Sequence, residues 1–219
     1  MEIRRSLGRF LSIFFIVAIG CAFFSGIRAS EPDMRYSGDE YFDNKNMMDI
    51  QVISTMGLSE EDLSAIKAVD GIEYAEGGYS SDVLCTDGAN QVVVHVMSML
   101  PTMNQVQLED GRLPEAEDEC ALDVDYLAES NLEIGDTVTF SSGTEDDIAD
   151  TLVTDTFTIT GAVSSPNYIS FQRGSATIGN GSVSAFAYVP EEAFSLDVYT
   201  EICARVEGAA ELTAFTDKY

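Results

Sequence analysis

Between Arg9 and Arg28 the chain reads FLSIFFIVAIGCAFFSGI, Phe10 to Ile27, eighteen residues without a charge. No other feature restricts the fold so firmly, because a segment this apolar has to leave water. At about 1.5 Å per residue a helix of that length covers about 27 Å. A hydrocarbon core is about 30 Å thick, so the segment reaches across it once the flanking arginines extend toward the interfaces. Phe10, Phe14, Phe15, Phe23, Phe24 and Ile27 form the apolar body, and Arg9 and Arg28 bracket it. These eight residues read as a membrane anchor.

A cleaved secretory signal is the rival reading, since it also has a basic start and an apolar middle. Its apolar region runs to about 7–15 residues and ends at a cleavage site of the Ala-x-Ala type. Here the run is longer, and the nearest such pair, Ile27 and Ala29, is poor at its first position and encloses Arg28. The segment therefore reads as retained. Arg4, Arg5 and Arg9 crowd the first nine residues with Glu2 as the only acid. Positive residues stay inside, so the N-terminus is expected in the cytoplasm and everything after Arg28 outside.

That exterior part is strongly acidic. Of 38 Asp+Glu all but Glu2 lie beyond Arg28, against seven of the 11 Lys+Arg, and the formal net charge is −27. Such a surface repels phosphate backbones and excludes nucleic acid as a partner. The acidity itself reads as a solvated face. With 45% hydrophobic residues the chain holds one sizeable core or two small lobes. Cys21 lies in the apolar run. Cys85, Cys120 and Cys203 read as buried thiols, with one disulfide and a spare thiol as the alternative.

The pattern predicts an α+β chain: residues 1–28 a basic start and transmembrane helix, 29–46 a neck with Pro32 and Gly38, and 47–219 an exterior domain of two lobes. The first lobe is β-α-β-β. Its strand Met48 to Ser54 precedes a helix capped by Ser59 with Asp62, whose Leu63, Ile66 and Val69 share a face. Paired strands follow, Ile72 to Cys85 and Gln91 to Leu100, turning at Asp87-Gly88. On the second of these, Val92, Val94 and Val96 alternate with Val93, His95 and Met97.

The second lobe, roughly 105–190, is strand-rich. Strands are expected at Cys120 to Val124, Thr137 to Phe140, Thr151 to Ser164 and Val183 to Val189, with a helical turn at Asp125 to Ser130. A short helix around Glu191 to Phe194 and a strand Thr200 to Val206 come next. A helical pattern then begins near Gly208, with Leu212 and Phe215 on one side.

Chemistry finds little purchase. The glycine-rich Gly174 to Gly181 lacks the ending of a P-loop and the spacing of a dinucleotide fingerprint, and reads as a mobile loop. His95 is the only histidine, so a two-histidine metal site is excluded, and it reads as structural. The acidic runs Glu115 to Glu119 and Glu145 to Asp150 lack the EF-hand arrangement and read as solvated loops. No catalytic residue, metal or cofactor is expected.

Several stretches together carry a resemblance: RRSLGRFLSIFFIVAIGCAFFSGIRAS, YFDNKNMMDIQVIST, LEDGRLPEAEDECALD, LEIGDTVTF and ITGAVSSPNYISFQRGSATIGNGSVSAFAYVP. Within them stand a Gly-Arg-x-Pro turn, Gly111, Arg112, Leu113 and Pro114, and an Ile-Gly-Asp element, Ile134, Gly135 and Asp136. Nearly the whole chain resembles the N-terminal region of FtsX/MacB-like ABC transporter permeases. The resemblance implies a porter-like lobe beside a strand-rich one, no catalytic residue in this region, and a cell-membrane location. It also implies work with a separate cytoplasmic ABC ATPase and with a second permease copy or homologous half, for export or mechanotransmission. Further transmembrane helices follow the exterior domain in that family, so the chain is expected to be truncated before them. The alternatives are a stand-alone membrane-anchored extracellular binding or sensing module, and a secreted enzyme with a cleaved signal.

Overall fold

A computed structural model describes residues 7–87, 90–170, 172–214 and 216–219. Two compact units divide the chain, Met1–Tyr41 with Glu211–Tyr219, and Phe42–Ala210.

In the first unit a single helix dominates. Helix α1 runs over Leu7–Asn44, 38 residues with none buried, and its last three residues belong to the second unit. Arg9 and Arg28 both lie on it, whereas Arg4 and Arg5 fall outside the described residues. Ser12 and Ser30 donate their hydroxyls to the carbonyls of Gly8 and Ile27, both at 2.9 Å. Turning a hydroxyl back onto the helix in this way satisfies it where water is absent.

Most of the segment expected as a neck is helical, since α1 continues through Pro32 and Gly38. Elongation of an existing helix is far easier than nucleation. One missing proline N–H therefore does not stop it, and an ion pair from Arg35 to Glu31 at 3.2 Å spans the same turn. Among the described residues no α-helix follows Gly208, where a helical pattern is expected to begin. Ala209–Glu211 makes one 3-10 turn, and bends and turns follow it among the described residues. Within this unit the Ala214 N–H donates to Asp39 Oδ1 at 2.6 Å. Phe215 lies outside the described residues.

The second unit contains β1 (Ile50–Leu58), α2 (Glu60–Lys67), β2 (Ile72–Gly78), β3 (Ser80–Asp87), β4 (Asn90–Ser98), β5 (Gln107–Gly111) and β6 (Glu119–Asp123). After these come α3 (Val124–Glu129), β7 (Thr137–Ser141), β8 (Thr156–Ser164), β9 (Val183–Val189) and β10 (Tyr199–Val206). The α+β class holds: one long apolar helix, then a sheet-rich domain.

Three strands form an antiparallel sheet in the order β1-β10-β2, with α2 on one face. Ser59 caps α2 as expected. Its hydroxyl oxygen accepts from the Asp62 N–H, and the Asp62 carboxylate accepts from the Ser59 N–H at 2.8 Å and the Ser59 hydroxyl at 2.7 Å, two donors that hold that carboxyl below its usual range. Leu63 and Ile66 meet Leu58, Ala75, Ile202 and Ala204. Val69 departs from the expectation, being 56% exposed, because the helix is already capped at Ala68.

Sheet membership also differs from the expected β-α-β-β order. The stretch Ile72 to Cys85 is not one strand. It breaks at Tyr79, whose ring meets Phe194 and Tyr199 at 5.5 and 5.3 Å. Before that corner β2 joins the small sheet, and after it β3 joins the larger one. The third strand of the small sheet is β10, from 122 residues further on in sequence by the Gly78–Thr200 contact. Strands β3 and β4 pair out to Asp87 opposite Asn90. Gly88, at the expected turn, lies outside the described residues.

The seven-stranded sheet has the order β5-β8-β6-β9-β4-β3-β7, and β7 pairs again with β8. It therefore closes on itself, which leaves few free edges. Val83, Val94, Val96, Leu122, Phe140, Phe157 and Ile159 fill its interior. The alternation on β4 is as expected, but both faces are covered: Val93 and Met97 are 1% and 5% exposed. Strand β8 starts at Thr156 rather than Thr151, β5 was not anticipated, and the expected short helix after Pro190 is a 3-10 turn over Glu191–Ala193.

Gly111 and Gly161 face each other where β5 meets β8. Gly111 has φ +76°, and a Cβ there would stand 2.3 Å from the Thr160 carbonyl oxygen. Gly111→Ala is expected to destabilise the fold by about 2 kcal/mol or more, combining left-handed strain with displacement of β8. A urea midpoint equal to that of the parent would show that β5 yields freely.

Candidate functional site

All eight residues read as the anchor lie on α1. Phe10, Phe14, Phe15, Phe23, Phe24 and Ile27 are between 48% and 70% exposed, so no described part of the chain covers them. Phe10 stacks on Phe14 with centroids 6.5 Å apart, and Phe14 meets Phe15 edge-on at 5.6 Å. The helix is long and apolar enough to cross a membrane.

The two motif elements come together on β8. At the first, the Arg112 N–H donates to the Thr160 carbonyl at 2.9 Å. At the second, the Gly135 N–H donates to the Ile159 carbonyl at 2.8 Å, and the Ile159 N–H donates to the Asp136 carbonyl at 2.9 Å. Asp136 also accepts from the Glu133 N–H at 2.9 Å, closing the turn. The Arg112 side chain forks onto Glu119, which further accepts from the N–H groups of Glu115 and Ala116. These donors hold the Glu119 carboxyl down at about 2. The acidic run Glu115 to Glu119 is thus tied back to its own turn, with Glu119 as its fixed end.

Two further arginines, not singled out in the sequence, organise the rest. All five N–H groups of Arg173 are engaged. Nε and Nη2 donate to the Asp123 carboxylate at 2.9 and 3.0 Å, and Nη2 donates also to Asp125 at 2.7 Å. Nη1 donates to the Tyr168 and Ser170 carbonyls, both at 2.9 Å. Its plane stands 5.3 Å from the Phe186 ring, which stacks on Tyr168 at 4.8 Å. Burial raises the Asp123 carboxyl while Arg173 pulls it back down. Arg205 donates to Asn46 Oδ1 at 2.9 Å, to the Met47 carbonyl and to Asp43, and Tyr74 donates to the same Asn46 oxygen at 2.7 Å. Residues 43–47 are thereby fastened to β10 and β2. The signal for both was scarcity: in a chain so short of cations, each of Arg35, Arg112, Arg173 and Arg205 has a carboxylate to meet.

The remaining sequence candidates have structural partners. His95 Nδ1 lies 2.6 Å from Asp82 Oδ1, directly across β3 and β4. Cys85, Cys120 and Cys203 are buried. Burial pushes the Cys120 and Cys203 thiols up, the latter to about 12, which suppresses the thiolate that nucleophilic chemistry requires. Gly174 to Gly181 is not an open loop. The Ala176 N–H donates to the Gly181 carbonyl at 3.1 Å, and Ala176 and Ile178 sit on Leu84, Val93 and Val183. In the run Glu145 to Asp150, Asp147 accepts from the Ala149 N–H and so caps a 3-10 turn. Among the described residues no group of His, Cys, Asp and Glu is arranged to hold a metal ion.

No family model matches the sequence, and no curated protein matches it. Among solved structures, the chain is similar to the extracellular domain of the noncanonic ABC-type transporter YknZ from Gram-positive bacteria. That likeness has 13% identity over 72% of this chain and 78% of that one, with a TM-score of 0.44. It is also similar to the periplasmic region of MacB from Actinobacillus actinomycetemcomitans, with 15% identity over 72% and 67% and a TM-score of 0.41.

Proposed function

We propose that the chain is the N-terminal part of an ABC transporter permease, an anchor and exterior domain that couple to a separate cytoplasmic ATPase and act beside a second copy. The observation that carries this reading is α1 itself: an uncharged stretch bracketed by Arg9 and Arg28, on a helix whose residues none bury, followed by a strongly acidic sheet domain. The sequence resemblance supports it, and its Gly-Arg-x-Pro and Ile-Gly-Asp elements both serve as clamps on β8. The arginines near the N-terminus put that end in the cytoplasm and the sheets outside.

Cysteine labelling tests the orientation. Both Gly8, with open space around it, and Glu145, on an exposed loop, accept a cysteine. In intact cells a membrane-impermeant maleimide is expected to label Glu145→Cys at once and Gly8→Cys only after lysis; the opposite order overturns the orientation. Coupling is tested by purifying the protein from its native membranes. An ABC-type ATPase whose hydrolysis rises in the presence of the protein is expected, and its absence would favour the anchored binding module.

A further inference from the structure

Where the two sheets meet there is a partly enclosed cavity of about 160 Å³, bounded by the end of β4, the following loop, β9 and β10. We propose that it is a binding site for a small primary amine carrying an aryl or short alkyl body. The proposal does not depend on the permease reading.

Volume comes first: a space of this size accepts about one ring-sized molecule. Met99, Leu100 and Val106 give it apolar walls, and thioethers adapt to aromatic and irregular ligands. The polar lining then decides which ligand, because it is rich in acceptors. Gln105 spends its amide donor on the Leu100 and Met103 carbonyls at 3.1 and 3.2 Å, which leaves its amide oxygen as the group to offer. Asn104 is already engaged at both ends, donating to Cys203 Sγ at 3.6 Å and accepting from the Met48 N–H at 3.0 Å.

Charge decides between a neutral donor and a cation. Glu201 is the one charged residue on the wall. Its carboxylate accepts from Gln51, and no Lys, Arg or His pairs with it among the described residues. An ammonium is the donor that suits a wall offering the Glu201 carboxylate and the Gln105 amide oxygen. The surrounding negative field raises the local concentration of any such cation.

Benzylamine is the probe, titrated into the full chain in lipid nanodiscs and followed by ligand-observed NMR, with benzyl alcohol and phenylacetate as comparators of the same shape. Millimolar binding is expected for a ligand of about eight non-hydrogen atoms, with the order amine, alcohol, acid. Glu201→Gln is expected to weaken the amine about tenfold and to leave the alcohol unchanged. Val106→Phe, which fills the volume, is expected to abolish both. The proposal is overturned if benzylamine shows no binding, or binds no better than phenylacetate, or binds Glu201→Gln as tightly as the parent. The Glu201→Gln comparison decides the matter even where Val106→Phe does not fold.

Discussion

Arg173→Ala is expected to lower the unfolding free energy by about 3–5 kcal/mol, a large part of the roughly 5–15 kcal/mol that a domain possesses. The reason is what the substitution leaves behind. Asp123 has a side chain only 2% exposed, and Arg173 supplies the paired donors that compensate its charge. Once they are gone, a buried carboxylate faces an apolar wall of Phe186 and Tyr168, and the Tyr168 and Ser170 carbonyls lose their donor as well. Asp125 behaves differently, since at 59% exposure it returns to water, and Asp125→Asn is expected to change little.

The sign with pH follows from burial, which raises the Asp123 carboxyl, and more so without the guanidinium. A group raised on folding favours the folded state below its unfolded pKa, and that contribution is lost as pH rises through the folded value. The deficit of Arg173→Ala is therefore expected to be largest at neutral pH and to shrink as the solution is acidified. Urea titrations of the full chain in mild detergent measure both. Arg173→Met combined with Asp123→Asn removes the charge and its partner together and is expected to recover most of the loss. A deficit under about 1 kcal/mol at neutral pH would mean that water already reaches Asp123.

What the sequence made legible, and what it did not, divides along local against distant causes. The long apolar helix, the Ser59 capping box and the strand Val183–Val189 are local patterns, and each stands as expected. The partner of a strand is not local. Nothing between Ile72 and Cys85 announces that Tyr79 turns the chain out of one sheet into another, because both halves alternate equally well. Nor does the small sheet reveal that β10 completes it. Strand β5 escaped notice because every residue in it is exposed, so no apolar alternation marks it. Pro32 falls in the segment that reads as a neck, yet the helix already formed before it carries on through it. The clamps repeat the division. Gly111 and Gly135 were visible as motif residues, whereas Arg173 is 50 residues from Asp123 in sequence and becomes a centre only when β6 and the loop before β9 are adjacent.

The membrane assignment makes a prediction of similar size. Ile19 lies in the middle of the uncharged stretch and is 66% exposed, so an aspartate there would face lipid with no described side chain to receive it. A carboxylate at the centre of a spanning helix is unfavourable by about 3 kcal/mol, and Ile19→Asp is expected to reduce the membrane-integrated fraction on the order of a hundredfold relative to the non-integrated one. Ile19→Leu keeps the apolar surface and is expected to behave as the parent. Alkaline extraction of membranes, read by immunoblot of the pellet, separates the two. Intact mass of the pelleted parent tells a retained anchor from a cleaved signal. Retention preserves the residues through Ile27, whereas cleavage leaves a species beginning near Ala29 that the alkaline wash releases. If Ile19→Asp stays in the pellet as fully as Ile19→Leu, the exposed face of α1 meets protein rather than lipid, and the anchor reading fails at its first premise.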